Sequence, residues 1–129
     1  MRKLAIVLIL IMPTFALAQK ADAHPSVDRW KQTALNAGWK THHWPMVKCI
    51  IWRETGGNPN LYNPEKQAGT PKGWGSYGLM QMYGWANRDW LMKFVGGDLR
   101  KLYNPYVNLR AAKKLYDMRG WRPWGGCRR

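Results

Sequence analysis

Glycine and proline, 13 and 8 of the 129 residues, cut this sequence into short pieces. Their order decides what each piece can become. Proline is tolerated in the first turn of a helix, and glycine ends one by taking a left-handed conformation. Ser26 can cap a helix from about Val27 to Ala37, with Val27, Trp30, Ala34 and Leu35 on one side and Gly38 as its stop. Pro45 opens a second helix that runs to about Thr55 and ends at Gly56-Gly57, ahead of Asn58-Pro59. A third is expected around Trp85 to Val95, and Asn104 caps a fourth with Pro105 in its first position and Gly120 as its stop. Between Leu61 and Ser76, Asn63-Pro64, Gly69-Thr70-Pro71 and Gly73-Trp74-Gly75 describe loops or a small hairpin without the alternation of a long strand. No tandem repeat or heptad run interrupts this pattern. The expected fold is a single, mostly α domain.

The length permits one modest domain. Arg2 and Lys3 precede an apolar run from Leu4 to Met12, then Pro13 and Ala16-Leu17-Ala18, the pattern of an export signal over residues 1–18 with cleavage after Ala18. The run is short for a membrane span, so no stable membrane insertion is expected after cleavage. A secreted or periplasmic protein follows. Two cysteines, Cys49 and Cys127, in such a compartment are expected to form a disulfide worth roughly 2–4 kcal/mol, with two buried thiols as the plainer alternative.

Lysine and arginine number 21 against 7 acids, a formal charge of +14. That charge suits an anionic polymer and does not identify it. Nucleic acid would fit the charge and the nine tryptophans, yet an exported, disulfide-bonded chain rarely meets it. The acids are too few for an oxygen-ligand metal cage, and His24 and His42-His43 lack partners at metal-ligand spacing. No metal and no cofactor is expected. Phosphate loops, Gly-x-Ser-x-Gly elbows and His-Glu-x-x-His motifs do not occur.

The second helix carries the most informative residue. At about 100° per residue, Val47, Ile50 and Ile51 fall about 20°, 40° and 60° from Glu54 around the axis, which puts a carboxyl group in the apolar stripe. Loss of hydration favours the protonated carboxyl, the form a general acid needs. The plainer reading is a Glu whose head reaches water at a helix end or pairs with Arg53.

The order Glu54-Thr55, Gly78-Leu79-Met80-Gln81 and Asn104-Pro105-Tyr106-Val107-Asn108-Leu109 resembles the lysozyme-like soluble lytic transglycosylase domain of peptidoglycan-cleaving enzymes. That family reads Glu-Ser, Gly-Leu-Met-Gln and Asp-Pro-x-x-Asn-Ile in the same order. The resemblance covers about Trp44 to Cys127, dividing the chain into the signal, an N-terminal helix and linker over 19–43, and a lysozyme-like domain over 44–127. The ending Gly120 to Cys127 is similar to that of small secreted members, including the resuscitation-promoting factors, and goose-type lysozymes share the Gly-Leu-Met-Gln run. The resemblance implies that Glu54 is the catalytic acid and that Thr55 keeps the hydroxyl of the family's serine. It further implies that Ser76, Tyr77, Gly78, Leu79, Met80 and Gln81 line a groove for glycan strands, with Asn108 facing the same cleft. Asn104 replaces the family's Asp and Leu109 its Ile. The Ala-Tyr-Asn-Ala-Gly stretch is missing, which leaves Tyr77, Tyr83 and Tyr103 as candidates for the cleft aromatic; Trp74, Trp85 and Trp121 are either groove or packing residues.

Glycosidases usually employ two carboxylates. Ser76 stands where animal lysozymes carry a catalytic Asp, Tyr83 where goose-type lysozymes carry an acid, and only Glu65 and Asp89 remain as possible seconds. A single acid favours lytic transglycosylation over hydrolysis by a muramidase. A monomer that cleaves peptidoglycan is the expectation; a cationic wall-binding or membrane-active protein without catalysis is the alternative from another class.

Overall fold

The structure is a computed structural model describing residues 25–64 and 67–127. The expected export signal, His24, Asp22 and Glu65 lie outside the described residues. In chain order the elements are α1 (Pro25–Asp28), α2 (Lys31–Asn36), a 3-10 turn (Thr41–His43), α3 (Trp44–Thr55), β1 (Tyr62–Asn63), β2 (Ser76–Tyr77) and β3 (Met82–Tyr83). They continue with α4 (Arg88–Phe94), a 3-10 turn (Leu99–Tyr103), α5 (Pro105–Arg119) and a closing 3-10 segment (Arg122–Cys127). The domain is mostly helical with one small sheet, as expected.

The two long helices obey their local signals. Pro45 lies in the first turn of α3, and Gly56 ends it at φ 60°, its N–H donating to the Trp52 carbonyl at 3.0 Å. At α5 the Asn104 side-chain oxygen accepts the N–H groups of Tyr106 (3.0 Å) and Val107 (3.2 Å), satisfying donors the helix leaves unpaired.

The N-terminal expectation needs correcting. Instead of one helix capped by Ser26, the chain forms α1 and α2 with a break at Arg29-Trp30, and no side chain caps α2. Tertiary contacts explain the break. Ser26 Oγ donates to the Gly56 carbonyl (3.3 Å), while Arg29 Nη2 (3.1 Å) and Trp30 Nε1 (2.9 Å) both donate to Gly57. A continuous helix would not aim these groups at one loop. Residues 25–43 are also more than a linker, since Val27, Ala34, Ala37 and Trp39 join the common core. Trp39 Nε1 donates to the Leu109 carbonyl at 2.9 Å, holding this segment to α5.

The sheet runs β1-β2-β3, antiparallel throughout, with Tyr62 opposite Tyr77, Asn63 opposite Ser76, and Ser76 opposite Tyr83. Its third strand lies beyond the expected loop region. The core joins Val47, Ile50 and Ile51 of α3 to Leu109, Ala112 and Leu115 of α5, with Leu79, Met80 and Met82 between them.

Cys49 and Cys127 are disulfide-bonded, with 6.0 Å between their Cα atoms, and the bond ties α3 to the closing segment across 78 residues of chain. By the loop-entropy argument for a loop of this length its removal costs about 4.5 kcal/mol. The double variant Cys49→Ser/Cys127→Ser should therefore show a lower denaturant midpoint and a larger m, because the unlinked unfolded chain exposes more surface; an unchanged midpoint would mean the bond constrains nothing.

Candidate active site

Helix α3 ends where its chemistry begins. Trp44, Val47, Ile50 and Ile51 are buried, as the spacing requires, and Glu54 follows on the last turn, half-buried. Thr55 is the joint. Its hydroxyl lies 3.1 Å from the Ile51 carbonyl one turn back and 3.0 Å from the Leu79 carbonyl, and it accepts the Gly57 N–H at 3.3 Å. A Thr or Ser hydroxyl at a helix end readily reaches the carbonyl four residues earlier. Here the same oxygen fixes the end of α3, and so Glu54, against the Leu79 backbone.

The segment Tyr77 to Gln81 forms the wall that α3 meets, and its main-chain groups are held from several directions. The Gly78 N–H donates to Leu61 (2.9 Å), and Gln81 closes a turn onto the Gly78 carbonyl (2.9 Å). Gln81 adopts φ 50°, unusual for a residue with a side chain, and its Nε2 donates to the carbonyls of Leu61 and Gly78, both at 3.1 Å. From α5, Asn108 Nδ2 donates to Tyr77 (2.8 Å) and Leu102 (3.0 Å), while Oδ1 accepts the Met80 N–H (3.0 Å). Trp124 Nε1 donates to the Met80 carbonyl at 2.9 Å. Gly78 is required on two grounds: φ is 70°, and a Cβ there would stand 2.4 Å from the Leu102 oxygen and 2.5 Å from Asn108 Nδ2.

Burial corrects part of the expected binding set. Asn108 does not face an open cleft: it has no exposed surface, and neither do Ser76, Leu79 and Met80. Gly78 is buried as well. Asn108, Ser76, Leu79 and Met80 shape the wall from behind and present no atom to a ligand. Glu54 and Thr55 are half-buried. Gln81 and Tyr77 each keep 5% of their surface exposed.

Ser76 carries neither charge nor access, so it is no second catalytic acid; its hydroxyl is buried without a hydrogen-bond partner among the described residues. Asp28 pairs with Lys48, Asp98 with Arg100 and Asp117 with Lys113. Asp89 lies exposed in the first turn of α4. Among the described residues, no group of His, Cys, Asp or Glu is arranged to hold a metal ion.

The aromatic candidates separate. Tyr77 packs 4.6 Å from Tyr62 and 5.3 Å from Tyr103, ring centroid to centroid, and donates its hydroxyl to Gly73 at 2.7 Å. Burial, with smaller contributions from Tyr62 and Tyr103, pushes the Tyr77 phenol up to about 12 and raises Tyr103 too. Neither is a proton acceptor in waiting at neutral pH. Tyr83 instead lines a hollow of about 270 Å³ together with Gln81, Asn87, Arg119 and Trp124, its hydroxyl bonded to Thr70. A second hollow of about 190 Å³ lies between Trp74, Tyr77 and Arg100. Glu54 lines neither. Trp74 meets Trp85 edge-on, and Trp121 stacks on Trp39, so these three pack against other rings. His43 is half-buried beside Tyr116 and Trp121; burial, then the charges of His42 and Lys113, holds its pKa below the usual histidine value.

Trp124 and Leu61 are wall supports that sequence reasoning did not single out. The available signal was Trp124's place three residues before a disulfide-bonded cysteine.

A helix ending in an acid, braced by a hydroxyl against a Gly-Leu-Met-Gln wall that is itself fastened by a helical Asn, defines a lysozyme-like glycan-cleaving domain. Residues 32–120 match the family model described as the transglycosylase SLT domain, and the chain belongs to that family, whose members are lytic transglycosylases acting on peptidoglycan. The match begins inside α2 and ends at Gly120, so it takes in more of the N-terminal segment than the motifs alone and stops before the Trp-rich ending. Comparison with curated proteins and with solved structures found no significant match.

Proposed function

We propose that this chain is a lytic transglycosylase that cuts the β-1,4 bond from N-acetylmuramic acid to N-acetylglucosamine and leaves 1,6-anhydromuramic ends. Glu54 donates its proton to the bridging oxygen as the bond to muramic C1 breaks, and the 2-acetamido carbonyl of the same sugar stabilises the positive carbon. The ionised Glu54 then takes the proton of the C6 hydroxyl, whose oxygen bonds to C1. No water is consumed. The nucleophile belongs to the sugar being cut, so the step gains the effective molarity of an intramolecular reaction.

The observation supporting this reading over hydrolysis lies at the wall: Thr55, the neighbour of Glu54, bonds the Leu79 carbonyl, whereas the position of the animal lysozyme Asp is held by a buried, uncharged Ser76. The large excess of basic over acidic residues supports a substrate bearing carboxylates. In this proposal the protein acts as a monomer outside the cytoplasm after losing residues 1–18; no helix among the described residues is long and apolar enough to cross a membrane.

Digestion of purified sacculi followed by mass analysis of the released muropeptides tests the proposal. Anhydro ends are expected. Reducing muramic ends, heavier by one water, would make the enzyme a hydrolytic muramidase.

A further inference from the structure

The hollow of about 270 Å³ lies next to the wall, because Gln81 belongs to both. It falls just below the usual size of a small-molecule site and has room for one sugar-sized or short peptide group. Its lining is uneven in a telling way. Tyr83 and Trp124 supply aromatic surface and Gln81 and Asn87 supply amides, but among the described residues Arg119 is the one charge on it and no carboxylate lines it. Arg119 ends α5 and is exposed, and its side chain makes no ion pair or hydrogen bond within the described residues. Nearby Asp117 is occupied by Lys113 one turn earlier. The plainer role for Arg119 is a charge favourable to the helix C-terminus. That role would not require it to border a hollow shared with the wall.

We infer that this hollow binds the acidic arm of the muramic sugar, with the Arg119 guanidinium holding a carboxylate on the lactyl substituent or on the stem peptide attached there. The inference rests on the glycan-cleaving reading above and names a contact that selects among wall fragments. A planar guanidinium with five donors suits a carboxylate better than a lysine ammonium does. Such a contact is made in ground and transition states alike, so it acts mainly on KM.

Two assays test it. The first measures cleavage by the wild-type and Arg119→Gln proteins on four substrates: peptide-bearing strands, strands stripped by an amidase so that the lactyl carboxylate is free, and each of these with its carboxyls converted to methylamides. Wild type should show a KM about ten-fold higher on the methylamides, the loss of one charge-assisted hydrogen-bonded contact. Arg119→Gln should show that higher KM on every substrate, and Arg119→Lys should recover part of the loss. A wild-type penalty confined to peptide-bearing strands assigns the stem-peptide carboxylate; one confined to stripped strands assigns the lactyl carboxylate. The second assay titrates N-acetylmuramic acid and a muramoyl dipeptide into the Glu54→Gln protein, where no cleavage is needed. Binding of at least one probe, weakened about ten-fold by adding Arg119→Gln, is expected. Equal KM values for wild type on charged and methylamidated strands, or binding indifferent to Arg119, overturns the inference. Failure of the parent reading looks different, since anhydro ends would then be missing whatever stands at position 119. Arg119 is exposed, so unchanged melting curves will show that the variants fold.

Discussion

Turnover of peptidoglycan should fall by at least about 100-fold when Glu54 becomes Gln, with binding to insoluble wall unchanged. The amide matches the carboxyl in shape and fits the half-buried site at the end of α3 without disturbing Val47, Ile50 or Ile51 beneath it. What it cannot do is give up a proton and take one back. Both half-reactions assigned to Glu54 need that exchange, so neither acid nor base catalysis survives. Three measurements together check the expectation: muropeptide release, co-sedimentation with sacculi, and the melting curve. Retained potency would instead favour a cationic wall-binding or membrane-active protein, for which position 54 is immaterial. A large loss of wall binding would recast Glu54 as a sugar ligand.

The parts of the fold legible in the sequence were those decided within a few residues. Asn104-Pro105 opens α5, and Pro45 with Gly56 brackets α3, because the donors of a first turn and the left-handed stop are satisfied by residues close in the chain. Ser26 shows the limit. Its hydroxyl is a sound local cap, but it went to Gly56, 30 residues away, and the expected helix became two. Strands two residues long leave no alternation to read, so β3 was missed.

For the candidate site, residue identity was more legible than residue placement. The apolar stripe beneath Glu54 and the hydroxyl of Thr55 were readable, and Thr55 does join α3 to Leu79. That Tyr77 would turn inward against Tyr62 and Tyr103 was not readable, since a tyrosine beside a glycine loop looks the same whether it meets a sugar or another ring. In the sequence Arg119 is simply a basic residue in the last turn of α5. Only the fold brings it to a hollow that also contains Gln81.

Asn108 poses that question most sharply, and its substitution should be among the most destabilising in the chain. Its side chain accepts the Met80 N–H and donates to the carbonyls of Tyr77 and Leu102, all from a position with no exposed surface. Alanine would strand these groups where water cannot replace the lost partner, at about 1–3 kcal/mol for each unsatisfied group. Partial relaxation brings the net cost to about 4 kcal/mol, a large share of the 5–15 kcal/mol by which domains are usually stable. Aspartate should do no better. It keeps the acceptor for Met80 but loses both donors and sets a charge against two carbonyl oxygens. Urea unfolding checks this: a midpoint lowered in both variants at unchanged m is expected, with cleavage lost in parallel as the wall loosens. Thr55→Ser, which keeps the hydroxyl that meets Leu79, should retain both stability and activity. If Asn108→Ala instead kept the wild-type midpoint and lost only affinity for glycan, Asn108 would be a sugar ligand after all, and the wall would owe its shape to Trp124 and Gln81.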